Sequence, residues 1–210
     1  MGNPTTLVIA SGNAGKVREF GHLLAGLGLE IRPQPEGLEV EETGATFAEN
    51  ARLKAEAVAR ATGCWALADD SGLSVSALGG APGVHSARYA DSDAARIERL
   101  LKELDAANAA AVAQGEAADR SAHFTAALAV ANPSGEVVLA VEGLCPGTIL
   151  EELRGEGGFG YDPVFFVPEA GLTFAEMPKE LKGELGHRGR AFALLEPKLK
   201  ELLATQVQTS

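Results

Sequence analysis

The chain has 210 residues, enough for one large domain or two closely packed lobes around a substantial core. Apolar residues make up 46% and charged residues 22%, an ordinary globular balance, while only 5% are aromatic, so the core is expected to rest on Leu, Val and Ala. The formal net charge of −11 argues against generic binding to nucleic acid or to a membrane surface, both of which need a basic footprint, so any anionic ligand must be held by a local basic cluster or through a metal.

The apolar run Thr6–Ser11 reads as a strand, and Ala14–Leu27 places Val17, Phe20, Leu23, Leu24 and Leu27 at helical spacing. Between them lies Ser11-Gly12-Asn13-Ala14-Gly15-Lys16. Its glycines allow a turn with φ > 0 and a close approach to a ligand. The helix that follows presents free N–H groups and its positive dipole end. This is not a P-loop: Gly12 and Gly15 are too close together, and Val17 stands where Ser or Thr is required. Leu29–Arg32 reads as a second strand, followed by the acidic cluster Glu39-Val40-Glu41-Glu42-Thr43-Gly44. Thr46-Phe47-Ala48-Glu49 is a capping-box pattern that opens a helix to about Ala61, on which Asn50 and Lys54 share a face.

Cys64–Ala68 reads as a short buried strand ending in Asp69-Asp70-Ser71-Gly72. Ligands of open α/β sheets bind beyond the carboxyl ends of strands. Two adjacent acids there repel one another and lose hydration, penalties that a divalent cation removes. Gly79-Gly80-Ala81-Pro82-Gly83 is a loop, and Ser92 caps a helix of about twenty residues. Ser121–Ala131 and Glu136–Glu142 form strands around the turn Asn132-Pro133-Ser134-Gly135. Thr173-Phe174-Ala175-Glu176 is a second capping box. A last helix is expected over Gly189–Ala204, kinked or started by Pro197, with a fraying tail at Thr205–Ser210.

Strands alternating with helices, then a long hairpin, predict a mixed α/β sheet with flanking helices and no linker. Cys64 and Cys145 fall in apolar runs and read as core thiols of a reducing compartment. No leader pattern and no run of 18 apolar residues is present, so a cytoplasmic protein without a membrane span is expected. The loose match of Met1-Gly2 and Thr6 to an acylation pattern is taken as chance.

The C-terminal half supplies positive charge: Lys179, Lys182, His187, Arg188 and Arg190 fall within twelve residues. Upstream, Phe159 lies in Gly157-Gly158-Phe159-Gly160-Tyr161-Asp162, offering a ring for base stacking, with Asp162 as an acceptor for base N–H groups. Carboxylates for Mg²⁺, cations for a polyphosphate and an aromatic for a base make up a nucleoside triphosphate site.

At this point the chain resembles the inosine/xanthosine triphosphate pyrophosphatases over nearly its whole length. The resemblance is carried by Ser11–Lys16, Glu41–Phe47 with Glu49-Asn50-Ala51 and Lys54-Ala55, Ala68–Leu73, Gly79–Gly83 with Ser86-Ala87-Arg88-Tyr89, Gly157–Pro163, and Lys182 with His187-Arg188-Gly189. It implies an elongated, two-lobed fold with the active cleft between the lobes, a homodimer, and hydrolysis of ITP, dITP and XTP to the monophosphate and pyrophosphate. It assigns the triphosphate to Ser11, Gly12, Asn13, Ala14, Gly15 and Lys16, with Asn13 and Lys16 as direct contacts, and a further phosphate contact to Lys54. Asp70 becomes the general base and a metal-linked residue, with Glu42 as a Mg²⁺ ligand. Glu41 is the alternative ligand and Asp69 a secondary one. Ser71, Phe159, Gly160, Tyr161, Asp162, Lys182, His187 and Arg188 bind the nucleotide, the last few of them near the base. Two other readings stay open: a related pyrophosphatase acting on pyrimidine or modified nucleotides, and a nucleotide sensor without turnover.

Overall fold

The computed structural model describes residues 5–207, with side chains described through Thr205. The Met1-Gly2 pattern and the end of the tail, residues 208–210, lie outside the described residues. In chain order the elements are β1 (Thr5–Ile9), α1 (Ala14–Leu23), β2 (Leu29–Pro33), α2 (Phe47–Thr62), β3 (Trp65–Val75), α3 (Asp93–Ala113), β4 (Ser121–Ala131), β5 (Val137–Ile149), β6 (Phe165–Val167), β7 (Leu172–Thr173), α4 (Lys179–Leu185) and α5 (His187–Val207). The seven strands form one sheet in the order β2-β1-β3-β4-β5-β6-β7. β1 runs parallel to β2 and β3, while β5–β6 and β6–β7 are antiparallel, so the sheet is mixed as the alternation of elements predicts.

Among the described residues, contacts divide the chain into a unit of residues 5–70, 126–143 and 191–207 and a unit of residues 71–125 and 144–190. The first has a core of aliphatic residues around Phe20 and Phe192, among them Leu7, Ile9, Leu67, Leu128 and Leu195. The second is built differently. Phe124, Phe165 and Phe174 meet in it, with ring centroids 4.7 to 5.5 Å apart, alongside Leu73, Leu100 and Leu104. The few aromatics of this chain are thus concentrated, and the expectation of an aliphatic core holds for one unit only.

Several boundaries differ from the sequence reading for identifiable reasons. α1 stops at Leu23 because Gly26 (φ +92°) and Gly28 (φ +69°) adopt left-handed backbone that ends the helix. β3 does not end at Asp69; it continues to Val75, with Leu73 and Val75 fully buried beyond the acids. β5 runs past Glu142 because Val141, Gly143 and Cys145 keep the inward alternation. Gly147 is there for room rather than as a turn signal, since a Cβ on it would come within 2.5 Å of the Phe165 ring. The Thr173–Glu176 bonds form, Thr173 N–H to Glu176 Oε2 (2.8 Å) and Glu176 N–H to Thr173 Oγ (3.2 Å), but they close a turn, and α4 begins only after Pro178. α5 starts at His187 and carries Pro197 inside it, so Pro197 does not mark its start, and Thr205–Val207 are helical. Cys145 is buried in β5, but Cys64 is half-buried in the turn between α2 and β3 rather than in the core.

Candidate active site

The loop after β1 is organised by its own side chains. Ser11 Oγ accepts the N–H of Asn13 (3.1 Å). Asn13 is the N-cap of α1, its Oδ1 accepting the N–H groups of Gly15 (2.8 Å) and Lys16 (3.2 Å). The side-chain oxygen of Asn13 is therefore engaged in shaping the loop. Gly12 and Gly15 do not adopt the left-handed backbone that the sequence suggests. Gly12 leaves open space instead, and a Cβ on Gly15 would lie 3.1 Å from Asn13 Oδ1.

β1 pairs with β3 only as far as Ile9 opposite Leu67. Asp69 and Asp70 continue β3 past that point and so lie beyond the carboxyl end of β1, near the capped loop. Successive residues of a strand point to opposite faces, and the two acids divide accordingly. The Asp69 side chain is wholly buried, with Oδ2 2.7 Å from Lys16 Nζ. Asp70 faces Lys54, whose Nζ lies 3.3 Å from Asp70 Oδ1, 2.7 Å from Glu42 Oε1 and 3.0 Å from the Asp69 carbonyl oxygen. The two adjacent acids thus do not meet around one cation as their adjacency suggests; each has a lysine on its own face. Lys16 and Lys54, expected as phosphate contacts, stand in carboxylate pairs.

Glu42 and Asp70 share the Lys54 ammonium, whereas Glu41 is exposed. The Glu42 loop is docked on α2 by Asn50, whose buried Oδ1 accepts the Gly44 N–H (2.8 Å). A Cβ on Gly44 would come within 2.7 Å of both Asn50 Oδ1 and Glu49 Cβ. Burial pushes the Asp70 carboxyl above the ordinary range and Glu42 adds to the rise, while Lys54 and the nearby Asn50 amide oppose it. Neither Asp70 Oδ2 nor Asn50 Nδ2 completes a hydrogen bond, although both are buried. A recess of about 430 Å³ opens here, lined by Ser11, Lys16, Glu42 and Lys54, and by Gln34, Leu38, Glu39 and Val40. Of this wall, the stretch Gln34–Leu38 is what sequence reasoning missed. Its order comes from Gln34, which donates from Nε2 to the Leu38 carbonyl (2.7 Å), a bond no motif announces.

Among the described residues no group of three or more His, Cys, Asp or Glu side chains could hold a metal by itself. Two carboxylates nevertheless fit Mg²⁺, which keeps several waters and is completed by substrate phosphates. The orphaned Asp70 Oδ2 beside the Glu42 carboxylate is the hard-oxygen donor such an ion needs.

In the second unit, Phe159 is 71% exposed, an unusual setting for so large an apolar ring. Its N–H donates to Asp162 Oδ2 (2.9 Å), which also pairs with Lys182 Nζ (2.5 Å). Asp162 is buried, so its Oδ2 shapes the loop and holds Lys182. Tyr161 is likewise an anchor: it is buried, its hydroxyl donates to the Ser86 carbonyl (2.9 Å), and burial raises its pKa. The Gly160 N–H donates to Asp93 Oδ2 (2.7 Å). Lys182 Nζ lies 5.2 Å from the Phe159 ring centre. The His187 ring stacks on Phe124 (4.8 Å between centroids, 17° between planes). Arg188 is half-buried in the first turn of α5, and Ser71 is half-buried within β3. The basic cluster is partly neutralised, because Lys182 meets Asp162 and Arg190 meets Glu169 (2.5 Å).

A mixed α/β sheet, a capped anion loop at the end of β1, acids held by lysines, and a glycine loop presenting an aromatic ring define a nucleotide-handling α/β protein. More particularly, the chain belongs to the Ham1 family, whose model matches residues 7–198. It is 64% identical over 197 residues to the "dITP/XTP pyrophosphatase" of Synechococcus sp. (strain CC9311), covering 94% of this chain and 91% of that protein. It is 62% identical over 200 residues to the protein of the same name from Prochlorococcus marinus (strain MIT 9313), covering 95% and 94%. Among solved structures it is similar to a HAM1 protein from Coxiella burnetii, with a TM-score of 0.86, 42% identity, and coverage of 94% of this chain and 99% of that one.

Proposed function

We propose that this chain is a nucleoside triphosphate pyrophosphatase that hydrolyses deaminated purine nucleotides (dITP, ITP and XTP) to the monophosphate and pyrophosphate, clearing them from the nucleotide pool. The observation that carries this reading is the cluster of Lys54, Glu42 and Asp70, set beside the capped loop Ser11–Lys16 and its Lys16–Asp69 pair. The 64% identical relative bears the name of this activity. The same reading includes the homodimer and the cytoplasmic location that the resemblance implies.

Asp70 acts as general base, taking a proton from a water molecule as its oxygen attacks the α-phosphorus. Its burial raises its basicity, which suits that role. The bond between the α-phosphorus and its bridging oxygen breaks, and the electron pair leaves with pyrophosphate. Lys16, the α1 N-terminus and the Asn13 amide bind the charge that grows on the leaving group. Lys54 holds Asp70 and Glu42 in place. Glu42 and Asp70 would hold Mg²⁺, which when bound supplies charge neutralisation for the phosphates. Phe159 stacks on the purine, while Arg188 or backbone N–H groups donate to its 6-oxo oxygen. Adenine would present an amino group to those donors and leave them unpaired, a strong ground for rejection.

The test is a panel of ITP, dITP, XTP, GTP and ATP, with and without Mg²⁺, in which pyrophosphate and orthophosphate are both measured. Mg²⁺-dependent pyrophosphate release from ITP, dITP and XTP, with little from ATP, is expected. Comparable turnover of ATP contradicts the base reading, orthophosphate points to a phosphatase, and tight binding without product points to a sensor.

A further inference from the structure

We infer that Asp93, at the start of α3, is a positioning residue for the loop Gly157–Asp162 and thereby sets the affinity for the purine nucleotide; this rests on the reading of Phe159 as the base platform. Phe159 stands between two glycines in left-handed backbone, Gly158 (φ +76°) and Gly160 (φ +59°). Glycine adopts such angles at no steric cost, yet it also populates many others, so the ring's direction has to be fixed by bonds. One of those bonds is internal to the loop and moves with it: Phe159 N–H to Asp162 Oδ2. The next N–H, that of Gly160, is held from outside, by Asp93 Oδ2 at 2.7 Å.

Asp93 is well braced for this task. Its other oxygen meets Arg96 Nη1 at 2.7 Å, and Arg96 Nε in turn donates to the Ala90 carbonyl (3.0 Å). Ser92 caps α3 ahead of it, and an acid in the first turn is favoured by the helix dipole. The bond to Gly160 is charge-assisted and exposed to solvent. Without Asp93 the Gly160 N–H can turn to water, so the fold loses little. What is lost is the orientation of the ring.

The experiment compares Asp93→Ala, Asp93→Asn, Phe159→Ala and the double variant Asp93→Ala/Phe159→Ala, each with ITP and ATP. Asp93→Ala is expected to raise KM for ITP about three- to tenfold with kcat near that of the parent, and to raise KM for ATP by a similar factor, since stacking serves both purines. Asp93→Asn, whose amide oxygen can still accept from Gly160, should keep KM close to that of the parent. In the Phe159→Ala background, Asp93→Ala should add little, because its effect runs through the ring. If Asp93→Ala does not accumulate as folded protein, Asp93→Ser takes its place with the same expectations. A KM unchanged by Asp93→Ala but raised by Phe159→Ala overturns the inference and leaves the base platform standing. Fully additive effects, or a loss of kcat at an unchanged KM, also overturn it. A KM unchanged by Phe159→Ala overturns the platform reading and, with it, the inference.

Discussion

Asp70 and Lys54 belong to one cluster of charged groups that also takes in Glu42. Lys54 reaches two carboxylates and a backbone carbonyl at once, so its charge organises the acids. Asp70→Asn keeps the shape and can still accept from Lys54, but it cannot take a proton from water. Turnover should fall by about 10²- to 10⁴-fold, while nucleotide affinity, measured by calorimetry, should stay within a few-fold; parental turnover would remove Asp70 from the role of base. The residue types were legible in the sequence, and so was their grouping by motif. Their pairing was not, because it depends on which face of β3 each acid occupies. The sequence motif Asp69-Asp70 looks like one divalent site, whereas strand alternation sends Asp69 to Lys16 and Asp70 to Lys54. Lys182 and Asp162 teach the same lesson: twenty positions separate them in the chain, and only the fold reveals that they neutralise each other.

Elements place these residues, and their connections carry much of the site's precision. α2 is tied to the acidic loop by Gly44 and Asn50 and is opened by a full capping box at Thr46 and Glu49. Gly44→Ala would push a methyl group against Asn50 Oδ1 and Glu49 Cβ, each 2.7 Å from its position. The loop must then lift, taking Glu42 away from Asp70. An expected stability loss of about 1–3 kcal/mol should be accompanied by at least a tenfold drop in kcat/KM. Thr46→Ala separates the two effects: it removes the cap, costs about 1 kcal/mol by chemical denaturation, and leaves Gly44 docked, so its activity should remain close to that of the parent. Equal activity losses in the two variants would argue that helix stability, not docking, governs the site. Capping signals illustrate what local sequence can and cannot say. Thr46–Glu49 opens a sixteen-residue helix, while Thr173–Glu176 makes the same kind of bonds and opens none, because Pro178 intervenes before the chain can continue. Strand lengths were harder to read, since a glycine inside β5 looks like a breaker and instead allows close packing, as Gly147 does against Phe165.

At the scale of the molecule, the chain passes between the two contact units several times. The passages fall at residues 70/71, 125/126, 143/144 and 190/191, inside β3, β4, β5 and α5 respectively. Domain boundaries ordinarily fall in exposed, flexible segments; here each passage is made by hydrogen-bonded backbone, so opening one unit disrupts elements of the other. A single cooperative transition is therefore expected. The chain supplies its own reporters, since its one tryptophan, Trp65, lies in the first unit and its two tyrosines, Tyr89 and Tyr161, lie in the second. Burial and the Glu103 carboxylate raise the Tyr89 pKa to about 12, with Arg99 opposing, and burial raises Tyr161 as well. Below the ordinary tyrosine value of 10.0 both hydroxyls are neutral whether the chain is folded or not, and their contribution to stability is complete. Above it the unfolded chain releases protons that the folded chain retains, so that contribution is lost progressively as pH rises through 10 toward about 12. In an alkaline titration, tyrosinate absorbance should stay low at pH values where an exposed tyrosine has ionised, then rise together with the change in Trp65 fluorescence as the chain unfolds. Urea unfolding at neutral pH should likewise give one midpoint by tryptophan fluorescence and by near-ultraviolet circular dichroism of the tyrosines. Two separated midpoints, or ordinary tyrosine ionisation in the folded protein, would show that the units open independently despite the strands they share.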